Sequence, residues 1–170
     1  MKKSYLIFSL VALVIVAADQ LTKQLVVAGL GFHDSVPIIN GFLNLVHVRN
    51  PGAAFGFLAK MPGYFRSVFF ISVTLGAIAM IIFYVRMNKI TEMPLLLPLS
   101  LIFAGAIGNL IDRLRFGEVV DFVDVYVSTH HWPAFNVADS AISVGAALLL
   151  LDLLRHRRQP AEDQDAAQAH

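Results

Sequence analysis

Residues 135–154 read FNVADSAISVGAALLLLDLL, and this stretch decides the fold. A helix needs about 20 mostly apolar residues to cross a bilayer, and this run is long enough. A carboxylate, Asp139, stands at its head. Gly145, Ala146 and Ala147 lie in its middle, and such small residues let helices approach closely in lipid. Three further runs of this kind precede it, at about 5–27, 65–85 and 94–111. The third also holds small residues, Gly105, Ala106 and Gly108. The expectation is an α-helical integral membrane protein, a bundle of four transmembrane helices forming one domain over 1–158.

Composition agrees. The chain is 57% hydrophobic and 15% charged, with mean hydropathy +0.69. Soluble domains are usually about 45–50% apolar and about 25% charged, so this chain departs in both directions. A net charge of +1 with no basic stripe excludes a nucleic-acid partner. Cysteine is absent, which removes disulfides, thiolate metal sites and a cysteine nucleophile.

The N-terminus begins like a secretory signal, with Lys2 and Lys3 before an apolar stretch and then Ala17-Ala18. Apolar residues continue through Leu21, Leu25, Val26 and Val27, which favours a retained span. Basic residues cluster at Lys2-Lys3, at Arg86 and Lys89, and at Arg155, Arg157 and Arg158. Four spans put all three clusters on one side, which predicts both termini in the cytoplasm. Lys60, Arg66, Arg113 and Arg115 border the other side, so the bias is moderate. Residues 159–170 are polar, alanine-rich and acidic, and read as a disordered cytoplasmic tail.

Two long segments then face outward, about 28–63 and 113–133. In the first, Leu43 to Arg49 partly alternates apolar and polar residues, a short-strand pattern, and Asn50-Pro51-Gly52 supplies a turn. In the second, Val119 to Val127 is β-branched and aromatic. Small extended elements at the outer membrane surface are expected.

Polar residues in so oily a chain need explaining, because ionisable groups at membrane depth cost several kcal/mol unless paired or hydrated. Asp19 and Lys23 are four apart and predict an intrahelical ion pair with Lys23 snorkelling to the interface. Asn109 and Arg113 share a helical face, and Asp112 is spaced to pair with Arg115. Asn136 and Asp139 also share a face, with Asn136 as the helix N-cap and Asp139 at the third position. In a strand, Asp121 and Asp124 point to opposite faces, and spacing alone cannot choose between them. His130 and His131 are adjacent, not four apart, so no zinc motif forms and they read as loop residues. Two carboxylates that can meet suggest acid–base chemistry on water. Intramembrane acids also mark proton relays, so a small proton-coupled transporter is the second reading, although no inverted repeat is evident.

Five motifs stand in order: Asp19-Gln20-Leu21-Thr22-Lys23, Asn50-Pro51-Gly52-Ala53-Ala54-Phe55, Gly105 to Arg113, Val119-Val120-Asp121-Phe122, and Phe135 to Ser140. With them the chain resembles bacterial lipoprotein signal peptidase, also called signal peptidase II, over about Tyr5 to Arg158. The resemblance implies an aspartic endopeptidase of the bacterial cytoplasmic (inner) membrane. It implies Asp121 and Asp139 as the catalytic dyad, which decides against Asp124. Its substrate would be a prolipoprotein carrying diacylglycerol on cysteine, cut before that cysteine. Asn50, Gly52, Asn109, Arg113 and Asn136 match positions that bind substrate or the peptide antibiotic globomycin, and Asp19 and Lys23 match a supporting motif. The resemblance further implies a small extracytoplasmic β-cradle, a periplasmic lid segment, a site on the outer face, a monomer among membrane lipids, and no metal or organic cofactor.

Overall fold

The computed structural model describes residues 2–52 and 62–168. Its elements are α1 (Lys2–Gly29), β1 (Ser35–Ile39), β2 (Leu43–Asn50), α2 (Gly63–Met87), α3 (Met93–Phe116), β3 (Val119–Val127), β4 (His130–His131) and α4 (Val137–Gln168). All four helices are long and apolar enough to cross a membrane. Their outward faces are oily, with Leu6, Leu10, Leu13, Leu21 and Leu25 of α1 and Met80 and Phe83 of α2 exposed.

α3 is the central helix and packs against each of the other three. Its approach to α4 depends on small residues. A Cβ on Gly105 would strike the Ala138 carbonyl, and one on Gly145 would come within 2.8 Å of the Pro98 carbonyl. One end of the bundle is apolar, where Ile81, Val85, Ile90, Leu96 and Leu99 form a cluster. Phe8 and Phe103 pack beside it with tilted rings whose centres are 5.1 Å apart. Toward the other end the interior turns polar: Asp19, Lys23, Asn109, Asp112, Asp121 and Asn136 are all buried.

The two segments between spans meet in one antiparallel sheet of order β1-β2-β3-β4. β2 and β3, each from a different segment, pair with Val48 opposite Asp121 and Asn50 opposite Val119. β3 covers the expected residues and β2 extends the expected run to Asn50. β1 and β4 were not anticipated, and His130-His131 correct the loop reading by pairing with Val127 and Tyr126.

All four helices run past their expected C-terminal bounds, α3 and α4 by the most. α3 continues past Ile111 to Phe116, because its polar residues Asn109 and Asp112 turn inward rather than ending the helix. It stops at Gly117, whose left-handed backbone (φ 77°) lets its N–H reach the Arg113 carbonyl at 3.0 Å. α4 runs through Gln168, past the expected end of its span at 154. Alanine and glutamine, which recur beyond Arg158, are good helix formers. No lid appears among the described residues. The rest of the first outer segment, with Ala53-Ala54-Phe55 of the second motif, lies outside them.

Candidate active site

Strand alternation separates the two acids of β3. Asp121, 1% exposed, shares a face with Val48 and Asn50. Asp124 faces the other way, where Asn44 Nδ2 donates to it at 2.9 Å and His131 Nδ1 pairs with it at 2.8 Å. A bulge in β2 between Leu45 and Val48 brings Asn44 opposite Asp124.

Asn136 does two jobs at the start of α4. Its side-chain oxygen accepts the Asp139 N–H at 2.8 Å, the N-cap bond that its sequence spacing predicts. Its amide nitrogen donates to an Asp121 oxygen at 2.7 Å and to the Val120 carbonyl at 3.2 Å. A single side chain therefore ties the strand carrying one acid to the helix carrying the other. From the opposite side, Asn109 Nδ2 donates to Asp139 Oδ1 at 2.7 Å.

Behind these asparagines lies a buried ionic cluster. Lys23, 3% exposed, pairs with Asp19 at 2.9 Å and with Asp112 at 2.8 Å. It also donates to the Asn109 side-chain carbonyl at 3.1 Å. The Asp19–Lys23 pair thus forms, but it is interior, and Lys23 does not snorkel. Asp112 does not pair with Arg115 as its spacing suggested. It holds Lys23 and accepts the Val120 N–H at 3.1 Å, next to Asp121 in the strand. Asp19 accepts the Ala138 N–H at 2.9 Å and so satisfies another donor of the α4 N-terminus. Gln20 Nε2 donates to Asp112 at 3.0 Å and closes the cluster. Sequence reasoning gave Gln20 no role and put Asp112 in the wrong pair. Asp112 is three residues from Asn109 on one helical face, which was the available signal.

The remaining candidates surround the acids. Asn50 hydrogen-bonds Asp121, and its Oδ1 accepts the Gly52 N–H at 2.8 Å. Gly52 has φ +85°, and a Cβ there would collide with the Phe70 ring. Arg113 is half-buried, with its guanidinium 5.3 Å from the Phe70 ring centre and within electrostatic reach of Asp139 and Asp121.

Burial and the neighbouring Asp139 charge push the Asp121 carboxyl from its ordinary 3.8 up to about 7. Hydrogen bonds from Asn50 and Asn136, and the Lys23 charge, oppose that rise without cancelling it. Asp139 is half-exposed and opens onto a groove of about 570 Å³ lined by Asn50, Trp132, Phe135, Ser140 and Ser143. One acid inclined to keep its proton thus stands beside another with access to a groove. Such a pair can share one proton across acid and base roles. Among the described residues, no group of three or more histidines or acids gathers as metal ligands would.

The family model described as signal peptidase (SPase) II matches residues 11–155. The chain belongs to the signal peptidase II family. It is 48% identical over 159 residues to the lipoprotein signal peptidase of Syntrophus aciditrophicus, covering 94% of this chain and 99% of that one. It is 51% identical over 163 residues to that of Geobacter metallireducens, covering 96% and 99%. A solved structure described as a bacterial membrane enzyme superposes with a TM-score of 0.78 at 34% identity, covering 87% of each chain. A second solved bacterial membrane enzyme gives 0.77 at 35% identity, covering 86% of this chain and 92% of the other. Four spans around a small antiparallel sheet are thus the fold of this signal peptidase II chain.

Proposed function

We propose that this signal peptidase II chain removes signal peptides from prolipoproteins that carry diacylglycerol on a cysteine, cutting just before that cysteine, with Asp121 and Asp139 as its catalytic pair. The observation that supports this most is the asparagine bridge: Asn136 binds Asp121 by its amide and the Asp139 backbone by its oxygen.

The mechanism follows from the surroundings of each acid. Asp121 is buried and favours its proton, which suits it to donate to the scissile carbonyl oxygen. Asp139 faces the groove and suits the base that takes a proton from water. The water attacks the carbonyl carbon, the C–N bond breaks as the proton taken from water passes to the leaving amine, and the re-forming carbonyl returns its proton to Asp121. One proton shared between the two acids defines the active state. Asn50, Asn109 and Asn136 hold the carboxylates, while Arg113 and the turn at Gly52 border the substrate peptide. Near-attack geometry imposed in this way is worth several kcal/mol.

The groove beside Asp139 runs along Ser140, Ser143 and Val144 of α4, on the surface that meets lipid. Acyl chains of the substrate can remain in the bilayer while the peptide bond reaches the acids. The basic clusters favour both termini in the cytoplasm of the bacterial inner membrane, with the site at the outer face. Globomycin-type peptides would occupy the same groove, and the enzyme works as a monomer. The proton-coupled transporter reading finds no support, since the acids gather at one end of the bundle rather than along a path through it.

A gel-shift assay tests the proposal. Purified protein is mixed with a diacylglyceryl-modified precursor, with and without globomycin. Wild type should convert the precursor, and globomycin should stop it. Asp121→Asn and Asp139→Asn should each lose about 10²–10⁴-fold in rate while melting as folded proteins. Full activity in either variant overturns the catalytic assignment.

A further inference from the structure

A second cleft lies on the far side of β3 from the Asp121 face. It holds about 140 Å³ between α1 and the end of α3, lined by Gln24, Val27, Ala28, Arg115, Phe116 and Val120, with Lys23 and Asp112 at its base. Arg49 pairs with Val120 across the sheet and therefore projects to this side. Its guanidinium carbon is 4.8 Å from the centre of the Phe116 ring, and that of Arg115 is 5.0 Å from the same centre. Both cations therefore lie within about 5 Å of one ring centre.

Among the described residues neither arginine has an acidic partner. Asp112, the acid at the base of the cleft, is taken by Lys23 and the Val120 N–H. Two guanidiniums at one ring, neither with an acidic partner among the described residues, suit an anion, and their planar donors fit phosphate oxygens. The location narrows the anion further. Phe116 and Gly117 end a membrane-spanning helix, so the arginines stand at headgroup level. Leu25 and Leu114, on the two helices that wall the cleft, are exposed.

We propose that this cleft binds the headgroup phosphate of an anionic phospholipid in the leaflet on the Asp121 side of the membrane, with Arg49 and Arg115 on the phosphate and the upper acyl chain along Val27 and Ala28. The site is separate from the groove beside Asp139. Lys23 and Asp112 line the cleft and also hold Asn109 and β3.

Native mass spectrometry of the full chain in detergent tests this, with phosphatidylglycerol, phosphatidylcholine and glycerol 3-phosphate as probes. Wild type should retain phosphatidylglycerol in preference to phosphatidylcholine, and glycerol 3-phosphate should not displace it. Arg49→Gln with Arg115→Gln should weaken phosphatidylglycerol binding about tenfold or more. Ala28→Phe keeps both charges, fills the cleft and should weaken it too. Both variants should melt like wild type and cleave precursor in lipid-free detergent at the wild-type rate. Unaltered lipid binding in either variant, or displacement by glycerol 3-phosphate as effective as by the lipid, overturns the proposal.

Discussion

Lys23 Nζ reaches the side-chain carbonyl of Asn109 at 3.1 Å, and the amide of that same asparagine donates to Asp139 at 2.7 Å. A cation on the first helix thereby sets the orientation of a group on the third that holds an acid on the fourth. The amide cannot flip without placing its nitrogen against the ammonium, so the bond to Asp139 is specified in direction.

Lys23→Met should leave Asp19 and Asp112 buried without their cation. Removing one partner of a buried pair typically costs about 3–5 kcal/mol. A thermal melt in detergent should record a fall of many degrees, with precursor cleavage lost at temperatures where wild type is active. An unchanged melting point would show that the cluster contributes nothing to folding.

Cleavage should fall on the alkaline side as the shared proton is lost, with a midpoint governed by the Asp121 carboxyl at about 7. Asn50 donates to the ionised form and holds that value down. Asn50→Ala removes the donor, so the proton binds more tightly and the alkaline limb should move to higher pH. A rate–pH profile of kcat/KM in both proteins checks the direction, and a shift to lower pH contradicts the account.

Stability carries the same signature. The folded Asp121 binds its proton more tightly than the unfolded chain does, because its value rises from 3.8 to about 7 on folding. Between those limits the unfolded chain has already released the proton while the folded protein still holds it. Stability from this group is therefore lost as pH rises through that window. Asp121→Asn should melt with a flatter pH dependence there than wild type, in parallel denaturation series.

Gly52→Ala forces a methyl group into the Phe70 ring at a left-handed backbone angle. Strain of this kind costs about 1–3 kcal/mol. The turn should relax and carry Asn50 with it, so kcat/KM should drop severalfold with a smaller fall in melting temperature. Wild-type kinetics would mean that the turn adapts without moving Asn50.

The four spans were legible because each is a long apolar run, and β2 and β3 because β-branched residues recur along them. β1 was hidden by Pro37 and by lying exposed over its whole length, and β4 is too short to leave a pattern. At the site, the Asn136 cap and the separation of Asp121 from Asp124 were readable from local spacing. The partners of Lys23 and Asp112 were not. They come from different helices, and local spacing favoured Arg115 for Asp112 and the membrane interface for Lys23. The inward turn of Asn109 and Asp112 also explains why the end of α3 was placed too early.

Asp19 near the end of α1 accepts the Ala138 N–H at the start of α4, and Asn136 joins α4 to β3. The start of α4 is thus moored twice, to the first helix through one backbone N–H and to the sheet through one asparagine side chain. A single helix end therefore joins segments more than a hundred residues apart, and a change that loosens it reaches α1, β3 and Asp139 together.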